Sequence, residues 1–422
     1  MTDKLNNKVT WLAASLALAA ALTGCQPGTQ DQQDEGGSTA SELASQNGLS
    51  LINGLSLTNG LSGNGLSGNG LSGNGLSGNG LLMNPLKTGV LTTGTMMNST
   101  DGRTTMSYIV KCALPSGHSI SPKDQYGTTY TYSGLIGVAP EWETGTCGTT
   151  CQERMSACLL AHVNTSGVHI PIWLDSEGAI GWGQSTSYPF QEGSFFGNIF
   201  VNPPKGYFCS GKDFGSGTVP GRLGVGQSNA PYYDPFGTPG LCAPSCTASS
   251  STTNGVADGY SSCYGYTHVV TVWRNFDVNT KYRITNRQTG KVVEVAGSSK
   301  SGGAAVQQRT YAGSANQQWT ITQISTGKYK IVNVNSGLAL DLTGGSTADG
   351  SLLVQNSYSG AASQLWSFTS MGVNQPGFYE VNPSSKMAAS IWPAAGNTLD
   401  GAGTAAITYN TADIQKWSIE PI

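Results

Sequence analysis

The sequence predicts a multidomain chain in three parts. A Gly/Asn/Leu/Ser-repeat linker comes first, a disulfide-rich α+β middle domain follows, and an all-β repeat domain ends the chain. Three observations carry this reading. Asn-Gly-Leu begins at positions 47, 53, 59, 64, 69, 74 and 79. Eight of the nine cysteines fall between Cys112 and Cys263. From Lys281 onward, a set of aromatic and glutamine motifs recurs at a 47-residue offset. The 422 residues suffice for two or three domains, and only 11% are charged, against roughly 25% in an average soluble protein. With a formal net charge of −3, the chain has no broad basic field, so nucleic acid is disfavoured as a partner.

Residues 1–24 read as an export signal. Lys4 and Lys8 give a basic start, and the apolar run from Trp11 to Leu22 is too short to span ~30 Å of bilayer as a helix. The following Leu22-Thr23-Gly24-Cys25 resembles the lipobox of bacterial lipoproteins. That resemblance implies cleavage before Cys25, a lipid on Cys25 and attachment to a bacterial membrane, at the cell surface or in the periplasm. An ordinary secretory signal followed by a coincidental cysteine is the alternative.

Residues 25–86 form the tether. Asn-Gly favours turns because both residues tolerate positive φ, and Gly and Ser prevent packing. Two readings remain open, a flexible stalk and a short-period solenoid, and the lack of β-branched partners favours the stalk. As a coil, the segment from Gln26 to Pro85 would span roughly 40 Å.

The middle domain covers 87–277. Ser107 to Cys112 reads as a strand, and Val168 to Leu174 as a second extended run with Pro171 pointing to an edge. Thr150 to Val163 has helical spacing, with Thr150 as its cap. Cys151, Met155, Cys158 and Leu159 share one face of that helix, so Cys151 and Cys158 should bridge in different directions. Beyond Asn202 come Gly-, Pro- and Ser-rich loops stapled by Cys209, Cys242, Cys246 and Cys263. Cys147-x3-Cys151 and Cys242-x3-Cys246 could suit zinc, but an oxidising compartment favours four disulfides, with 105 possible pairings. No metal or other cofactor is expected.

The last segment, 278–422, repeats. Lys281-Tyr-Arg-Ile matches Lys328-Tyr-Lys-Ile, and Val293-Glu294-Val295 matches Leu340-Asp341-Leu342. Gln317-Gln-Trp319, Gln364-Leu-Trp366 and Gln415-Lys-Trp417 follow, with Tyr311, Tyr358 and Tyr409 six residues before each glutamine. Units of this size must bury their faces against copies of themselves, and three copies suggest closure about a pseudo-threefold axis. The tryptophans should meet in a shared core, and the glutamines should brace neighbouring turns. Three Gln-x-Trp motifs at this spacing resemble the β-trefoil of ricin B-type lectins. That family implies a shallow sugar pocket in each repeat, in which an acid accepts from hydroxyls and an aromatic ring underlies the pyranose. Carried over by position, the second repeat offers Asp341, Tyr358, Gln355 and Asn356. The first offers Glu294, Tyr311, Gln308 and Asn316. In the third, Ala388, Ala389 or Ser390 stands where the acid belongs, which leaves that pocket dead.

No catalytic constellation emerges in the middle domain. Glu141-Trp-Glu143 would set two carboxylates on one side of a strand, which does not straddle a scissile bond. Asp175 and Glu177 are read in the same way, as solvated charges. Gly226-Gln-Ser228 lacks a following helix, and Asp213-Phe-Gly215 lacks its companion motifs. His118, His162, His169 and His268 show no metal spacing. The leading expectation is a membrane-attached, non-catalytic lipoprotein that binds a glycan or polysaccharide. Two alternatives stand: a polysaccharide hydrolase with its catalytic centre in 87–277 and the repeat domain for targeting, and a structural or adhesion protein.

Overall fold

A computed structural model describes residues 50–422, apart from 54, 57–83, 88–94, 165–169, 181–182, 202–204, 211–241, 243–244, 254–255, 347, 374, 376, 384–386 and 393–397. The export signal, Cys25, most of the Asn-Gly-Leu segment, His169, and the motifs at 213–215 and 226–230 lie outside the described residues. No helix among the described residues is long and apolar enough to cross a membrane.

The middle region pairs a five-stranded antiparallel sheet with two helices. The strands are β1 (Ser50–Asn53), β2 (Ile170–Asp175), β3 (Phe190–Asn198), β4 (Lys205–Ser210) and β5 (Val270–Arg274), in the order β1-β2-β5-β3-β4. Every residue of β3 is buried. A central strand covered on both faces reads as a continuous run rather than an alternating one.

The helices correct two expectations. Ser107 to Cys112 is not a strand but part of α1 (Thr100–Ala113). Ser99 caps this helix by accepting from the Gly102 amide at 3.0 Å. Met106, Ile109, Val110 and Ala113 form its buried face, a 3.6-residue period that outweighs local β preference. The second helix, α2 (Thr149–Ala161), starts one residue earlier and ends two residues earlier than expected, so Gly148 rather than Thr150 is its cap residue and Val163 lies beyond it. Its buried face does hold Cys151, Met155, Cys158 and Leu159.

Pro171 is flanked on one side only. It lies opposite Ile52 of β1, and the pairing with β5 begins at Ile172. The proline thus avoids the ladder that would need its missing N–H. Residues 50–53, drawn from the Asn-Gly-Leu segment, supply that neighbour, and Leu86 joins the same core.

All eight cysteines are paired, as Cys112–Cys158, Cys147–Cys151, Cys209–Cys242 and Cys246–Cys263. Cys151 and Cys158 do bridge in different directions. Cys112–Cys158 staples α1 to α2 across a sequence separation of 46. Loop-closure entropy assigns such a bridge about 4 kcal/mol. Replacing both partners by Ala should lower stability by an amount of that order, measurable as a lower denaturant midpoint.

The C-terminal region is a closed barrel with a three-hairpin cap. Six strands form the barrel: β6 (Tyr282–Asn286), β9 (Trp319–Ser325), β10 (Lys328–Asn333), β13 (Ser367–Ser370), β14 (Tyr379–Asn382) and β17 (Trp417–Pro421). Between them run the cap hairpins β7 (Val292–Val295) with β8 (Ala304–Arg309), β11 (Ala339–Leu342) with β12 (Ser351–Asn356), and β15 (Met387–Trp392) with β16 (Gly403–Thr408). The barrel closes through β6–β17. One Tyr–Trp pair joins the first and last strands of each repeat: Tyr282 with Trp319, Tyr329 with Trp366, Tyr379 with Trp417. The three tryptophans are fully buried in one core, and each indole donates to a cap-strand carbonyl: Val293 O, Leu340 O and Ala389 O.

The two regions share an aromatic junction. Phe190 of β3 and Phe276, just after β5, are buried in the barrel core, their rings 4.4 Å apart. Phe190 meets Tyr282 and Tyr379, and Phe276 meets Tyr282, Tyr329 and Phe368. Tyr329 also donates its hydroxyl to Thr186 O at 3.1 Å. Burial pushes the phenol pKa values of Tyr282 and Tyr329 upward, that of Tyr282 to about 12.

Candidate functional site

Each cap hairpin places one side chain of its first strand beside the glutamine of its own repeat. In the second repeat that residue is Asp341, 6% exposed. Its Oδ1 accepts from the Leu342 amide at 2.7 Å. Its Oδ2 accepts from Asn356 Nδ2 at 3.0 Å and from Gln364 Nε2 at 3.1 Å. Gln364 Nε2 also donates to Ser357 O at 2.9 Å, while its Oε1 accepts from the Ser359 amide. One amide therefore fixes both the carboxylate and the turn that carries Tyr358. Tyr358 is 38% exposed, and Lys330 Nζ stands 5.3 Å from its ring centre. After the strand, Gly344 takes φ of 64°, the left-handed conformation that lets the chain turn off beside the acid.

The first repeat has the same plan with a more fully occupied acid. Glu294 is 3% exposed. Its Oε1 accepts from Gln307 Nε2 at 2.8 Å and faces Arg309 at 3.7 Å, and its Oε2 accepts from Gln317 at 3.1 Å and Asn316 at 3.4 Å. A carboxylate offers about four lone-pair sites. Glu294 and Asp341 each accept three hydrogen bonds, and Glu294 has Arg309 as an ion-pair partner in addition. Arg283 lies over Tyr311 as Lys330 lies over Tyr358.

In the third repeat Ser390 occupies the acid's register. It pairs with Ala405 as Glu294 pairs with Gln307 and Asp341 with Val354. Gln415 still braces its turn, donating to Thr408 O and accepting from the Asn410 amide, with no carboxylate among its partners. Glu380 takes the place of the cation above the tyrosine, and burial together with that charge pushes the Tyr409 phenol up.

The structure thus brings Asp341, Asn356, Gln364 and the Tyr358 turn together, and Glu294, Asn316 and Gln317 likewise. It turns Gln308 and Gln355 away, because neighbours on a strand face opposite sides. Gln355 donates to Ser299 O and Ser301 O and accepts from Ser336 Oγ. Gln308 donates to Leu399 O and accepts from Thr289 Oγ1. Both stitch one repeat to another. The aligned Gln308 and Gln355 gave no sign of which face they take. Gln307, Arg309 and the cations Arg283 and Lys330 escaped the sequence reading. The last two sit inside the Lys-Tyr-Arg-Ile and Lys-Tyr-Lys-Ile motifs, where they read only as strand positions.

In the middle region the acids are not solvated in the way expected. Pro140–Glu143 is a 3-10 turn rather than a strand, and it buries Trp142 and Glu143. Glu143 is paired with Lys87 and bonded to His118 Nδ1 at 2.8 Å, and Lys87 first and then His118 hold its carboxyl below the usual range. Asp175 is buried and accepts from the Gly183 amide at 2.9 Å. Glu141 and Glu177 do face solvent, across a cleft of about 450 Å³.

A threefold barrel whose cap hairpins present hydrogen-bonded carboxylates beside open turns defines a β-trefoil binding domain. Residues 270–356 match the family described as ricin-type β-trefoil lectin domain-like, so the C-terminal region carries a ricin B-type lectin domain. Solved structures resemble this region. ThreeFoil, a designed threefold symmetric protein, is 36% identical over 33% of this chain and 96% of its own, with a TM-score of 0.31. An exo-β-1,3-galactanase from Clostridium thermocellum, 1,3Gal43A, is 30% identical over 36% of this chain, with a TM-score of 0.32. The chain spans only 32% of the galactanase's length. The Macrolepiota procera ricin B-like lectin, solved with lactose, is 20% identical over 34% of this chain and 96% of its own, with a TM-score of 0.29. No curated protein matches the sequence.

Proposed function

We propose that this protein is a carbohydrate-binding lipoprotein that engages sugar through the second repeat of its β-trefoil. The observation that carries the reading is the Asp341 carboxylate. It is held in place by Leu342, Asn356 and Gln364, it keeps acceptor capacity on Oδ1, and it is tied through Gln364 to the turn bearing the exposed Tyr358. Carboxylates are strong acceptors for sugar hydroxyls, and an aromatic face suits the C–H side of a pyranose. The first repeat, with Glu294 more fully engaged, is the weaker pocket, and the third has none. Titration of the full chain against a panel of galactosides and glucosides, lactose among them, tests this. Binding should appear and should fall when Asp341 and Tyr358 are both replaced by Ala. Binding that is absent, or unchanged in that variant, overturns the reading.

The Leu-Thr-Gly-Cys25 motif supports export and lipid attachment at Cys25, and the polar stretch that follows it, up to the strand at residue 50, supports a short tether between lipid and folded regions. Incorporation of labelled palmitate in a bacterial host should be lost in Cys25→Ser. Equal labelling of both forms would exclude lipidation at this residue.

A further inference from the structure

The cleft in the middle region is separate from the trefoil pockets. Four segments form it: the loop 137–141, helix α2, the turn at 176–180 after β2, and residues 268–270 leading into β5. Its floor is aliphatic, made by the buried Val138, Ala157, Ile180 and Val270. Its rim is polar, made by Glu141, Arg154, Glu177 and His268. Arg154 Nη1 lies 3.6 Å from Glu141 Oε1, and both side chains are about half exposed. Burial, then the charge of Arg154, hold the His268 imidazole below its usual range, so at neutral pH it is uncharged. A neutral imidazole offers one donor and one acceptor. Gly178 stands at φ of 72°, with nothing within 4 Å of the place a side chain would take, so its backbone is open to a ligand.

The volume of about 450 Å³ falls within the roughly 300–1,000 Å³ of small-molecule sites. The mixed rim decides the ligand's charge. Arg154 is paired with Glu141, so Glu177 is left as the uncompensated charge of the rim and an anion is opposed at short range. A neutral polyol meets no such repulsion, and its apolar face suits the aliphatic floor better than a compact cation does. Its hydroxyls donate to Glu141 and Glu177 and accept from Arg154, while the C–H face of a pyranose covers the aliphatic floor. We infer that the cleft framed by Glu141, Arg154, Glu177 and His268 is a second carbohydrate site, sized for one or two neutral pyranose rings.

Hydrogen exchange on the full chain, with millimolar cellobiose, maltose or lactose and with a Leu-Gly dipeptide as zwitterionic control, tests this directly. At least one disaccharide should slow exchange at 137–141 and 176–180. Glu177→Gln and Arg154→Ala, both surface changes, should each weaken that response about tenfold or more. Protection of trefoil segments should be the same in these variants as in the parent, which separates this site from the proposed Asp341 pocket. Melting temperatures identical to the parent's would show that the variants are folded. Protection confined to the trefoil, protection by the dipeptide alone, or an undiminished response in both variants overturns the inference.

Discussion

Asp341→Ala is expected to lower the affinity of the trefoil for its sugar by about 10- to 150-fold, the range spanned by losing one hydrogen bond to a charged group. The same change removes the acceptor shared by Asn356 Nδ2 and Gln364 Nε2, so the turn carrying Tyr358 loses one of its braces as well. Asp341→Asn keeps the volume but not the charge and should lie between parent and alanine. Glu294→Ala should cost less, because that carboxylate already has four partners in the protein. Ser390→Ala should change nothing. Calorimetric titration of these variants, with circular dichroism melts as a folding control, gives the ranking. A loss at Glu294 as large as that at Asp341 would move the principal pocket to the first repeat.

Phe276→Ala is expected to destabilise the folded unit by about 3–5 kcal/mol, the usual cost of emptying a buried Phe site. Its ring touches Phe190, Tyr282, Tyr329 and Phe368, so the cavity would open where sheet and barrel meet. Intact, the two regions should melt in one transition, since neither can lose the other without exposing these rings. In Phe276→Ala the transition should fall in temperature and split in two. Scanning calorimetry distinguishes the cases, and a single unshifted transition in the variant would show that the junction couples nothing. A fragment beginning at 278 would lack both phenylalanines, which favours the full chain for binding work.

Much of the C-terminal region was legible because its period is written three times. Tyr282, Tyr329 and Tyr379 and the three tryptophans recur 47 residues apart in the first two copies and 50 or 51 apart in the third, and each performs the same task in its repeat. Position alone also picked out Asp341, Glu294, Asn356 and Asn316. It could not tell Gln308 and Gln355 from their outward neighbours, because the face a hairpin residue takes depends on cross-strand register. The middle region was harder to read. Ser107 to Cys112 is rich in strand-favouring residues, yet the Ser99 cap and the apolar face of Met106 to Ala113 make it a helix. Glu143 looked solvated because its partners Lys87 and His118 are distant in sequence and met only on folding.

The serine at 390 has a consequence for stoichiometry. Each repeat joins its first and last barrel strands through a Tyr–Trp pair, which the third repeat keeps through Tyr379 and Trp417. The carboxylates lie in the cap, outside those pairs, and Ser390 stands there with its main chain in the same register as Glu294 and Asp341. Symmetry and valency are therefore uncoupled in this domain. The number of occupied pockets can drift between none and three, one codon at a time, on a barrel that closes in the same way throughout.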